Sequence, residues 1–198
     1  MQTKNNLEYK ILLHLRRTLP PKRLGHVMGV ARYAERLARV YGLDPIRVRL
    51  AALLHDLARA WPDKKLIDYV RRHRIRAPDL DFSIKTRPLL LHSHVGAHLA
   101  KRLFNVCDPE ILSGISKHTL GSLEMSLFDK VIYVADLLAP DRKFALAARL
   151  RILAQKRIEE VYSEGVRMKL IYSASIGEPL HPYSVRVWNR LAEGKNNG

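Results

Sequence analysis

A single cysteine, Cys107, leaves the chain without a disulfide framework or a cysteine-rich zinc site, which points to a reducing cytoplasmic compartment and a buried, inert thiol. Long apolar runs are missing too. None approaches the roughly 20 residues that span a bilayer, and the stretch from Pro88 to Ala100 is broken by His92, His94 and His98. The segment Met1 to Asn6 and the charged stretch after it lack the apolar core of a signal peptide, so neither export nor a membrane partner is expected. Carboxylates are scarce: 19 Asp and Glu stand against 35 Lys and Arg, giving +16, a charge that gathers nucleotides or nucleic acid. The cations are scattered without forming one tract, so a solvated basic surface explains them equally well. Strand signals are nearly absent, and with no internal repeat or low-complexity linker a single helical domain is the economical architecture.

What is present is enough for one well-buried domain. A chain of 198 residues should bury roughly 70% of its unfolded surface, and 47% apolar with 27% charged residues is a globular composition. Val27, Val30, Ala31, Ala34, Leu37, Ala38 and Tyr41 keep helical spacing until Gly42. Asp44 and Pro45 open a second helix predicted through Leu57 and Ala58, and a third is predicted from Pro62. Residues 75–88 read as the longest loop, followed by a helix from about Val95 to Phe104 and another opened by Asp108 and Pro109. Ser126 and Asp129 suggest a capping box for a helix that Pro140 closes. Ala145 to Tyr172 reads as one or two helices, and Pro182 starts the last. The expected fold is all-α, a single domain over residues 1–198, with a core of about 22–140 and C-terminal helices of about 145–193.

Chemistry enters where His and Asp interrupt apolar faces: His26 ahead of the first periodic helix, His55-Asp56 inside the second, and Asp136 between Val131 and Leu138. A carboxylate inside an apolar helix is costly unless paired or bound to a cation, and a divalent metal satisfies both Asp56 and Asp136. Mixed imidazole and carboxylate donors suit Fe, Mn, Zn or Co better than calcium. Neighbouring residues on a helix point about 100° apart, so His55 and Asp56 need ligands from other helices. Other histidines have plainer readings. His14 and His73 sit in Arg-rich stretches and are expected to be solvated, His94 and His98 fit a polar helix face, and His181 fits a helix start. Trp61, Trp188 and Tyr133 fit the core better than base stacking.

His26, then His55-Asp56 within Ala-Ala-Leu-Leu-His-Asp-Leu-Ala-Arg, then Asp136 within Ile-Tyr-Val-Ala-Asp-Leu-Leu-Ala-Pro resemble the H, HD and D motifs of the HD-domain superfamily. Lys22 to Val27, Leu90-Leu91-His92, Ser116 to Gly121 and Met125-Ser126-Leu127 extend the likeness to the YqeK family of symmetrical bis(5'-nucleosyl)-tetraphosphatases, over nearly the whole chain. The resemblance implies an HD-domain helical bundle that uses iron and splits diadenosine tetraphosphate, a dinucleoside polyphosphate, into two ADP. It implies that His26, His55, Asp56 and Asp136 hold the metal, and that His92, His118 and Thr119 face the phosphates with Arg23, Arg59 and Arg142 as clamps. Asp56 would also hold or deprotonate the attacking water, and His92 and His118 would donate to the phosphoryl group or ligate a second metal. The chain departs from the family pattern at Arg59, where lysine is usual, and at Ser93, where glycine is usual, and it adds His94. Two other readings stand beside this one: an HD phosphohydrolase for another nucleotide or phosphodiester, and a non-catalytic RNA-binding module, which the full metal set disfavours.

Overall fold

A computed structural model describes residues 2–196, and among these every regular element is helical. Eleven α-helices follow in order: α1 (Gln2–Thr18), α2 (Pro21–Val40), α3 (Pro45–Leu54), α4 (Asp63–His73), α5 (Leu80–Thr86), α6 (His92–Phe104), α7 (Pro109–Lys117), α8 (Leu127–Leu137), α9 (Ala147–Leu153), α10 (Ile158–Ser175) and α11 (Pro182–Asn196). A 3-10 turn, Pro88–Leu91, joins α5 to α6. Among the described residues no helix is long and apolar enough to cross a membrane.

Local chemistry sets many of the boundaries. Asp44 and Asp108 each accept hydrogen bonds from two backbone N–H groups of the first turn they precede, with proline as the first helical residue. Ser126 and Asp129 form the reciprocal capping box of α8. The body of α8 is apolar on every side, and Val131, Ile132, Tyr133, Val134 and Ala135 are completely buried. A helix of that kind belongs at the centre, and α2, α7 and α10 pack around it.

The α8–α10 contact depends on Gly165. A β-carbon there would lie 2.6 Å from Leu137 Cδ2 and 3.1 Å from Tyr133 Cε1. The bare backbone lets α10 approach, and the residue one turn later, Lys169, then comes to lie over the Tyr133 ring.

Several expectations are corrected. α2 begins at Pro21, so His26 lies within it; its exposed first turn carries no apolar periodicity to reveal it. α3 ends at Leu54, and His55 to Ala60 form a turn closed by hydrogen bonds from Leu57 N to Leu54 O (3.2 Å) and from Arg59 N to Asp56 O (3.0 Å). Leu57 and Ala58 are nevertheless buried, and apolar spacing registers burial without distinguishing a turn from a helix. α6 starts at His92 rather than near Val95, and α5 occupies the middle of the presumed 75–88 loop. Cys107 is exposed instead of buried. His14 and His73 are half-buried against rings, His14 edge-on to Phe104 and His73 against Tyr69.

Candidate metal and phosphate site

Three imidazoles are oriented by the same device. The Nδ1 atoms of His55, His92 and His118 lie 2.6, 2.6 and 2.7 Å from the carbonyl oxygens of Ala52, Leu89 and Ile115, each three residues earlier. A carbonyl only accepts, so Nδ1 carries the hydrogen and each neutral ring presents an Nε2 lone pair. All three lone pairs face Asp56, at 3.4, 3.3 and 4.0 Å from its carboxylate oxygens. The turn after α3 supplies His55 and Asp56, the start of α6 supplies His92, and the end of α7 supplies His118.

The chemistry of this donor set calls for a cation. His55 Nε2 is buried without a hydrogen bond, and an unsatisfied buried acceptor costs about 1–3 kcal/mol. His92 Nε2 and His118 Nε2 stand 3.1 Å apart, an unfavourable lone-pair contact unless something positive lies beside them. Two compact groups, His26 with His55 and Asp56, and Asp56 with His92 and His118, have donor atoms within 4.8 Å of one another, all buried. Asp56 belongs to both.

His26 has a similar mismatch. Its Nδ1 lies 3.0 Å from both oxygens of Asp141 and its Nε2 lies 3.0 Å from Asp136 Oδ1, so two carboxylates face a ring that, when neutral, has one N–H. If Asp141 takes the Nδ1 hydrogen, a cation beside Nε2 and Asp136 relieves the other contact. Asp136 touches the cluster through His26 and lies outside both compact groups.

Proton affinities follow the same field. Burial favours protonated, neutral Asp56, but His55 and His92 outweigh it and hold the carboxyl well below its usual range. Asp136 is likewise held well below the ordinary carboxylate value despite burial, by His26, His55, Lys169 and Arg142. Burial lowers His55 while Asp56 and Asp136 more than restore it; burial with His55 and His92 as neighbours holds His118 far below a free imidazole.

Around these groups opens a cavity of about 660 Å³, lined in part by Arg23, Arg59, Arg142, Thr119 and Lys169. Arg23 reaches Asp56 Oδ2 and Arg142 reaches Asp136 Oδ1, both at 3.1 Å. Arg59 lies between these charges, its proton affinity lowered chiefly by burial. Thr119 Oγ1 sits 3.1 Å from His118 Nε2 and 3.4 Å from His92 Nε2. The structure therefore gathers every side chain proposed from sequence at or beside one cavity.

It also adds residues that the sequence reading missed. Asp141 buttresses His26, with no sequence signal beyond a carboxylate following Pro140. Lys169 is half-buried at the cavity wall: Nζ donates to the carbonyls of His118 (3.2 Å) and Thr119 (3.0 Å) and lies 3.9 Å from the Tyr133 ring centroid. Burial lowers its pKa to about 8. Arg87 pairs with Glu178 at the cavity wall. His181 Nδ1 caps α11 by accepting from Tyr183 N (3.2 Å), as a helix-start residue does, while its Nε2 meets Ser83 Oγ at 3.0 Å. His94 and His98 turn to different partners, Ser93 and Tyr69. Burial, followed by its His92 and His181 neighbours, lowers His94 to about 4. Tyr133 is fully buried, whereas Trp61 and Trp188 pack partly exposed against the core.

Comparison with known proteins adds family context. The family model "HD domain" matches residues 23–141. A protein of Bacillus subtilis (strain 168) named symmetrical bis(5'-nucleosyl)-tetraphosphatase is 31% identical over 91% of this chain and 95% of its own length. One of the same name from Staphylococcus aureus (strain NCTC 8325 / PS 47) is 31% identical over 79% of this chain and 75% of its length. The crystal structure of a predicted HD superfamily hydrolase involved in NAD metabolism, from Clostridium acetobutylicum, superposes with a TM-score of 0.88 at 31% identity, covering 94% of this chain and 97% of that one.

Proposed function

The chain belongs to the HD-domain family, and from that premise we propose that it is a metal-dependent phosphoanhydride hydrolase splitting diadenosine tetraphosphate symmetrically into two ADP. The observation that carries the reading is the convergence of three Nε2 lone pairs on the shared carboxylate of Asp56, beneath a cavity lined by Arg23, Arg59 and Arg142. The relatives' names supply the substrate and the symmetry of cleavage.

In this reading His26, His55, Asp56 and Asp136 hold the metal, with iron as the expected ion and Mn, Co or Zn as alternatives; His92 and His118 share Asp56 with a second position. A divalent cation held by these residues would supply a Lewis acid for a phosphoryl oxygen and would acidify a water near neutral pH. Arg23, Arg59 and Arg142 bind the phosphate chain and spread its charge. His92, His118 and Thr119 line the path to the phosphorus atom, and Asp56 orients the water. The water oxygen bonds to one of the two central phosphorus atoms, the bond from that atom to the central bridging oxygen breaks, and the departing ADP takes up a proton. No serine or cysteine nucleophile is required.

Incubation of the iron-loaded protein with diadenosine tetraphosphate, with products resolved by ion exchange, tests this. ADP alone is expected. AMP with ATP overturns the central-bond assignment and keeps the hydrolase; no turnover with metal bound transfers the site to another nucleotide.

A further inference from the structure

The C-terminal halves of α4 and α6 form a face whose chemistry dinucleotide hydrolysis does not use. Residues 69–78 contain Arg71, Arg72, Arg74 and Arg76 and no carboxylate, while Lys101 and Arg102 end α6, a helix without a single acid. All six side chains are exposed, and among the described residues none pairs with a carboxylate. Asp68, the nearest acid on α4, is ion-paired with Lys64 and also feels the charges of Arg71 and Arg72, neither of which comes within ion-pair distance of it. Favourable interaction with helix dipoles accounts for cations in a last turn, but Arg74 and Arg76 lie beyond the helix.

Against these cations runs a row of rings. Trp61 and Tyr69 have centroids 5.3 Å apart, Tyr69 and His73 4.2 Å, and His73 and His98 5.0 Å. Each ring is partly exposed. Lys65 lies over Trp61 at 3.9 Å, and Arg102 Nη1 comes within 3.4 Å of His73 Nδ1, so charge and aromatic surface interleave.

We propose that this face binds single-stranded nucleic acid, its phosphates following the arginines and its bases stacking on the ring row. That division of labour, a cationic track with aromatic platforms, is how single strands are held without regard to sequence. A duplex keeps its bases inside and gains only the charge, and an anionic lipid surface leaves the rings unused. The row starts at Trp61, two residues beyond Arg59 at the cavity edge, and the cations that end α6 lie about 14–15 Å along the helix from His92. A strand on this face therefore runs outward from the cavity margin.

Fluorescence anisotropy of the full chain with a labelled 20-nucleotide uridine RNA, and with a duplex of equal length, tests the proposal between 50 and 200 mM salt. The single strand is expected to bind more tightly than the duplex. Arg71→Ala with Arg72→Ala should flatten the plot of log affinity against log salt by about 1.4, at 0.7 per lost phosphate contact. His73→Ala should weaken the single strand about tenfold, the size of one stacking contact, while leaving duplex binding and hydrolysis unchanged. Lys101→Ala with Arg102→Ala provides a second charge variant if the first melts early. Absence of RNA binding, an unchanged salt slope in a folded charge variant, equal effects of His73→Ala on both RNAs, or binding to phosphatidylglycerol vesicles alone overturns the proposal.

Discussion

Replacing Lys169 by methionine separates site assembly from fold stability. All three Nζ hydrogens are committed, two to the carbonyls of His118 and Thr119 and one toward the Tyr133 ring, so the ammonium braces the turn that presents His118. Methionine leaves two carbonyls without that donor, at about 1–3 kcal/mol each, and removes a buried cation–π contact worth about 2 kcal/mol. Against this, burial that lowers the amine from 10.5 to about 8 is a penalty of about 3 kcal/mol that methionine does not incur. The net loss is about 3 kcal/mol, or a fall in Tm of about 6–12 °C for a chain of this size. Activity should suffer more, because a shift of about 1 Å in a positioned group can cost about a hundredfold. Thermal melts and kcat for diadenosine tetraphosphate, on Lys169→Met and Lys169→Arg, check this, with arginine expected to recover part of kcat. A Lys169→Met protein that melts lower yet keeps kcat within about twofold would refute the bracing role.

Asp141→Asn should weaken metal binding about 10- to 100-fold, the usual cost of losing a carboxylate behind a ligating imidazole, which calorimetric titration with Mn²⁺ measures. Gly165→Ala should destabilise by about 1–3 kcal/mol through overpacking against Leu137 and Tyr133, and Leu137→Ala should restore part of the loss in a double-mutant cycle. Tyr162, whose hydroxyl donates to Ser122 O, is raised by burial from 10.0 to about 12. The folded state thus holds that proton more tightly than the unfolded state, so its contribution of about 3 kcal/mol is complete below pH 10 and is lost as pH rises toward 12. Tyr162→Phe should show a shallower alkaline decline in denaturation midpoint; equal slopes would remove the assignment.

Helix positions with an apolar stripe and a chemical cap were readable from sequence: Asp44, Asp108 and Ser126 act where they were expected. Elements without a stripe were not. The first turn of α2 is mostly exposed, α5 is seven residues long, and the turn after Leu54 buries Leu57 and Ala58 as a helix would. That last error falls in the site itself, where the turn carries both His55 and Asp56. The buried charges of Asp56 and Asp136 drew attention because ionised groups among apolar residues need partners. Lys169 gave no such signal: its role depends on Gly165 allowing α10 close to α8, a contact between segments far apart in sequence. Cys107 was misplaced because thiols are usually buried, while this one follows Asn105 at the left-handed end of α6.

The proposed chemistry requires the lone pairs around Asp56 to enclose a divalent cation. Crystals soaked in Zn²⁺ and measured at its absorption edge locate it directly. An anomalous peak is expected about 2.0–2.2 Å from His55 Nε2 and from an Asp56 oxygen. Density elsewhere, or none with His55 and Asp56 as close as they are here, contradicts it.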